Sequence, residues 1–145
     1  VGFTVTTVPG TKPGPIHKIA SGGELSRFML ALRVVVASSG HAKTLVFDEI
    51  DSGIGGAVAD AVGQRLVRLS SNVQVFVVTH QPQIAARAQH HFHVTKLGKN
   101  GRKSTKVEKL SQKKRVEEIA RMLAGAKVTD EARAAAERLI REAAS

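Results

Sequence analysis

Cysteine, tryptophan and tyrosine are absent from this 145-residue sequence, and five phenylalanines are its only aromatic residues. Without cysteine neither a disulfide framework nor a thiolate zinc site can form, and a reducing compartment is the natural expectation. So few aromatics leave little to stack on nucleic-acid bases. No apolar run approaches the ~20 residues needed to cross a bilayer, and no basic segment followed by an apolar stretch and a cleavage site opens the chain. Neither a targeting segment nor a membrane span is therefore expected. Also missing is any G-x-x-x-x-G-K-S/T loop, the backbone cradle for α- and β-phosphates.

What is present in excess is positive charge. The formal net charge is +10, from 22 lysines and arginines against 12 acids. Most of the excess lies in residues 96–115, where Lys96, Lys99, Arg102, Lys103, Lys106, Lys109, Lys113, Lys114 and Arg115 face the single acid Glu108. Two readings are open. The stretch can contact a polyanion such as DNA, with Lys99, Arg102, Lys103 and Lys106 as candidate contacts. Alternatively it is a solvated hairpin whose lysines protect a sheet edge from aggregation.

The chain is long enough for one domain with a real core. It opens in strand pattern, Phe3 and Val5 alternating with Thr4 and Thr6, and starts with Val1, so it is expected to be a piece of something longer. Three prolines and two glycines in residues 9–15 predict a loop. Leu25, Phe28, Met29, Leu32 and Val36 then recur at helical spacing, which predicts a helix from near Glu24 with Ser21-Gly22-Gly23 at its N-terminus. Thr44–Phe47 and Val73–Val78 read as fully buried strands, with a helix between them whose core stripe is Val58, Val62, Leu66 and Leu69. Pro82 suits the first turn of a short helix. Strand, helix, strand, helix predicts an α/β fold with a mostly parallel sheet flanked by helices, and such sheets gather ligands at the carboxyl ends of their strands. Alternation from Phe92 through Val107 about Gly98–Arg102 predicts a hairpin, and two helices follow, one ended by Gly125 and the last opened by Thr129, Asp130 and Glu131.

Three strings carry chemistry. Ser21-Gly22-Gly23-Glu24 at a helix mouth offers a hydroxyl and close backbone amides to a phosphate, although alone it is an ordinary turn and N-cap. Asp48-Glu49 ends an apolar strand, and adjacent carboxylates repel unless they share a cation such as hydrated magnesium. Val77-Val78-Thr79-His80 closes a second strand, and its histidine alone would be a structural one. The ordered set describes half of an ATP site. With no phosphate-cradling loop in the chain, the other half must come from a partner segment. His91 and His93 share a strand face and can pair on a metal, but no third ligand accompanies them.

The set resembles the C-terminal part of an ABC-type ATPase head, and most closely the RecN family of SMC-like bacterial DNA-repair ATPases. Residues 19–27 are similar to that family's signature motif, 47–56 to its Walker B and D-loop, 79–85 to its switch-histidine segment, and 115–123 to its tail. Gly55 stands where many ABC D-loops carry aspartate, and Ala20 where leucine is commoner.

The resemblance implies that residues 1–145 are part of such a head lobe. Residues 1–15 would follow a coiled coil, 16–90 would hold the nucleotide motifs, and 91–145 the C-terminal β-hairpin and two terminal helices. ATP and Mg2+ are the implied ligands. Ser21, Gly22, Gly23 and Glu24 would face the γ-phosphate held by an opposite subunit, and Asp48 would bind Mg2+ through water. Glu49 would be the general base, His80 would contact the γ-phosphate, and Ser52 and Gly53 would cross the dimer interface. The implied partners are an N-terminal Walker A half, a second head and DNA, in the bacterial cytoplasm at the nucleoid. A RecF-like or other SMC head, or a non-catalytic basic DNA-binding module, are the rival readings.

Overall fold

The computed structural model describes residues 4–6, 9–16, 28, 31–32, 35, 43–48, 50–51, 53–99 and 102–144. They fall into two compact units, Val1–Thr79 and His80–Ser145.

In the first unit, β1 (Thr4–Val5) pairs antiparallel with β2 (Gly14–Pro15), Thr4 against Pro15 and Val5 against Gly14. The proline-rich stretch is therefore not wholly a loop. Proline lacks an N–H but keeps its carbonyl, which suffices for a two-residue edge pairing. Phe28, Ala31, Leu32 and Val35 are helical, as expected for Phe28 and Leu32, while Leu25, Met29 and Val36 of the expected stripe lie outside the described residues.

β3 (Thr44–Asp48) and β4 (Gln74–Val78) run parallel and in register, from Thr44 against Gln74 to Asp48 against Val78. The ladder is extended by the Gln74 N–H, which donates to the Lys43 carbonyl at 2.9 Å. Between them α1 (Gly56–Ser70) makes the crossover and packs on β4. The expectation of strands buried on both faces does not hold. Phe47 is buried, but Val46 is 70% exposed, Phe76 46% and Val78 57%, because among the described residues only one face of the pair is covered by a helix. Of the expected stripe on α1, Leu66 and Leu69 are buried and Val62 is half-buried, but Val58 is exposed, and Ala59 and Gly63 are buried beside the leucines.

The second unit begins with α2 (Pro82–Arg87), with proline in its first turn as its sequence predicts. β5 (Phe92–Lys99) and β6 (Arg102–Lys109) pair antiparallel, Phe92 against Lys109 and Lys99 against Arg102. α3 (Gln112–Ala124) is capped by the Ser111 hydroxyl, which accepts from the Lys114 N–H, and ends at Gly125, whose φ of 78° suits a residue without a Cβ. α4 (Asp130–Ala144) is capped by the Thr129 hydroxyl, which accepts from the Ala132 N–H.

The core of this unit is a seam of Ala85, Ala86, Ile119, Ala120 and Ala136, packed round by Val116, Met122, Val128, Leu139 and Ile140. Alanines at the crossings let α2, α3 and α4 approach closely, and Ile119, fully buried, is the one large side chain at the centre. Arg133 fastens α4 to α3, its Nε donating to Glu117 Oε1 at 2.7 Å.

Candidate functional site

The parallel pairing sets the geometry of the candidate site. Because Asp48 is level with Val78, β3 and β4 end at one edge. That is the carboxyl edge, where open α/β sheets hold their ligands. Asp48 is the last residue of β3 and is exposed, so its carboxylate keeps its oxygens available to a hydrated cation.

Beyond β3 the chain dives back into the protein before it enters α1. Ile50 and Ile54 are buried, and Asp51 is only 1% exposed. The Ile54 N–H donates to the Asp51 carbonyl at 3.2 Å, closing a turn whose third residue, Gly53, has a φ of 74°. That left-handed conformation favours glycine, which accounts for glycine in this loop without recourse to ligand binding. The buried Asp51 carboxylate is reached from β4. Thr79 Oγ1 donates to Asp51 Oδ2 at 2.5 Å, joining the loop after β3 to the residue after β4. Asp51 and Thr79 were not singled out by sequence reasoning, although each adjoins a singled-out position.

His80 opens the second unit with an exposed side chain, and its Nε2 lies 3.3 Å from Gln81 Nε2. The helix that follows it is seated by Arg115. Arg115 Nη2 donates to the carbonyls of Ala86 at 2.6 Å and Ala85 at 3.3 Å, at the C-terminal end of α2. A cation there also complements the helix dipole. Burial lowers the Arg115 pKa, yet a guanidinium remains charged. Residues 115–123 thereby receive a structural account. Arg115 holds α2, Glu117 meets Arg133, Glu118 accepts from Arg121 at 2.6 and 3.0 Å, and Ile119 with Ala120 fill the core.

On the hairpin, Lys106 Nζ donates to Glu108 Oε2 at 2.9 Å, and Lys114 Nζ bonds the other oxygen of the same carboxylate. These two lysines hold the Glu108 carboxyl down from about 4.5 to about 2. Lys99, Arg102 and Lys103 lie on β5 and β6, with side chains outside the described residues. Ser21, Gly22, Gly23, Glu24, Glu49 and Ser52 likewise lie outside the described residues.

Among the described residues no group of three or more His, Cys, Asp or Glu side chains that could hold a metal ion gathers around His91 and His93. His93 Nε2 is instead 4.0 Å from Glu118 Oε1. His91 has its pKa lowered, first by burial and then by the Arg115 cation, with Glu118 opposing. No helix among the described residues is long and apolar enough to cross a membrane.

No protein-family model matches the chain. It is 48% identical over 140 residues to the DNA repair protein RecN of Xylella fastidiosa, with 97% of this chain covered. It is 46% identical over 138 residues to that of Rickettsia bellii, and 41% identical over 143 residues to that of Bacillus subtilis. The chain spans 25% of the length of each of these relatives. A solved structure from work on ATP-driven dimerization and DNA-stimulated activation of SMC ATPases shares the fold, with a TM-score of 0.65 over 81% of this chain and 70% of that one, at 24% identity. The chain is thus an α/β segment that shares its fold with an SMC ATPase and is similar, along nearly all its length, to the C-terminal part of RecN proteins.

Proposed function

We propose that this chain is the C-terminal part of an ATP-hydrolysing head, acting in DNA double-strand-break repair by closing on a second head around ATP. The observation that carries the reading is the register of β3 and β4. It ends two parallel strands level with each other, at Asp48 and Val78, in a chain whose next residues are Glu49 and Thr79-His80.

In this reading Asp48, an exposed hard-oxygen donor at a strand end, holds Mg2+ through water. The ion supplies neutralisation of charge developing on the phosphates. Glu49 orients and deprotonates the attacking water, and His80 donates to the γ-phosphate. Ser21, Gly22, Gly23 and Glu24 face the nucleotide of the opposite head, and Ser52 and Gly53 lie along the head-to-head interface. The phosphate-cradling loop comes from an N-terminal half of the same protein. This chain by itself therefore neither binds ATP tightly nor turns it over. Its work is with DNA in the bacterial cytoplasm, at the nucleoid.

The test is Glu49→Gln in a full-length protein carrying this segment. Hydrolysis falls by at least ~10²-fold, the scale of a lost general base, while ATP-bound dimers accumulate in size-exclusion chromatography. If Glu49→Gln changes neither, and neutralising Lys103 and Lys106 alone abolishes DNA binding, the chain is a basic DNA-binding module and this reading is wrong. The Lys106–Glu108 bond speaks against that alternative, because it ties one of the four candidate contacts to a carboxylate.

A further inference from the structure

We infer that Asp51 is a positioning residue for hydrolysis, acting through its hydrogen bond from Thr79; the inference rests on the ATPase reading above. Its basis is where the bond lies. Thr79 immediately precedes His80, and Asp51 stands two residues after Glu49 and one before Ser52. The 2.5 Å contact between Thr79 Oγ1 and Asp51 Oδ2 is thus a cross-link between the two chain segments that leave the carboxyl edge of the β3–β4 pair.

Three features make this more than a surface contact. Asp51 is 1% exposed, and a carboxylate taken out of water is costly unless hydrogen-bonded, so the fold holds it there for its bonding. Asp51 also closes the turn to Ile54 with its own carbonyl, so the same residue fixes both the turn and the link to β4. Ile50 and Ile54 on either side of it are buried too, so Asp51 stands between two residues anchored in the core. A link of this kind fixes Asp51, two residues beyond the general base in sequence, against Thr79, the residue before the histidine. Misplacement of catalytic groups by about 1 Å can cost as much as 10²-fold in rate. Asp51 touches no substrate atom in this account; it acts by fixing where others stand.

The experiment uses the full-length protein with Thr79→Val, Thr79→Ser and Asp51→Ala, following steady-state ATP hydrolysis and thermal melting. Thr79→Val keeps the shape and removes the donor. It lowers kcat about tenfold while leaving KM for ATP within about twofold, and Thr79→Ser, which restores the hydroxyl, recovers kcat to within about twofold of wild type. Asp51→Ala combined with Thr79→Val is no worse than the poorer single variant, because both remove the same link. An unchanged kcat in Thr79→Val overturns the inference. So does a Thr79→Ser protein as slow as Thr79→Val, or a loss of kcat that merely follows a fall in melting temperature. If wild type hydrolyses ATP and Glu49→Gln does not, those outcomes count against Asp51 alone. If wild type shows no hydrolysis at all, the ATPase reading fails and takes this inference with it.

Discussion

Arg115 offers the sharpest test of how the second unit is held together. Substituting Arg115→Met keeps most of the aliphatic stem but removes the guanidinium that donates to Ala86 O at 2.6 Å and Ala85 O at 3.3 Å. A charge-assisted hydrogen bond of good geometry contributes ~1.5–3 kcal/mol, and the longer second bond adds little. The site is half-buried, so the carbonyls left behind are only partly resolvated, and the expected cost is about 2 kcal/mol. Arg115→Lys recovers only part of that, because a single ammonium cannot reproduce the planar fork. Urea denaturation of this chain reads the effect as a lower midpoint with an unchanged slope. Hydrogen exchange localises it, with faster exchange at Ala88, whose N–H donates to Ala85 O at the same helix end. A cost below about 0.5 kcal/mol, with exchange at Ala88 unchanged, refutes the claim that Arg115 seats α2.

Two further outcomes follow from the same unit. His91 has its pKa held below 6.5, chiefly by burial and then by the Arg115 cation, against the opposing pull of Glu118. The unfolded chain therefore binds the proton more readily, so the stability tied to neutral His91 is complete above pH 6.5 and drains away as pH falls below it. Denaturation midpoints of wild type fall on acidification through this window, and those of His91→Gln fall less; equal pH dependence contradicts the assignment. Ile119→Ala opens a cavity at a seam of alanines that cannot grow to fill it, and costs about 3 kcal/mol by the same denaturation assay, a cost under about 1 arguing against a central role.

The helical periodicity of α3 and α4, their caps at Thr129 and Gly125, and the proline start of α2 could be read from local sequence, because each depends on neighbours within one turn. The exposed face of Val46, Phe76 and Val78 could not. Apolar strand residues signal burial, and only the surrounding chain decides whether anything covers them. On α1 Leu66 and Leu69 are buried as their spacing predicts, while Val58 is exposed and the small Ala59 and Gly63, which carry little hydrophobic signal in a sequence, are buried. At the candidate site Asp48 and His80 stood out through their chemistry. Asp51 and Thr79 did not, because nothing in sequence reveals that positions 28 residues apart bond to each other. Arg115 stood out as a basic residue in a basic run and as the start of the 115–123 string, neither of which reveals the two backbone acceptors that set its role apart from its neighbours'.

The central claim is that each nucleotide is served by Glu49 of one head and Ser21 of the other, and subunit mixing measures this directly. Full-length Ser21→Arg and Glu49→Gln proteins are each inactive on their own. Co-refolded in equal amounts, half the dimers pair the two variants, and one of the two sites in each such dimer is then intact, so ATP hydrolysis returns to about a quarter of the wild-type rate. If Ser21 and Glu49 serve the nucleotide of the same head, every site carries a lesion and mixing restores nothing.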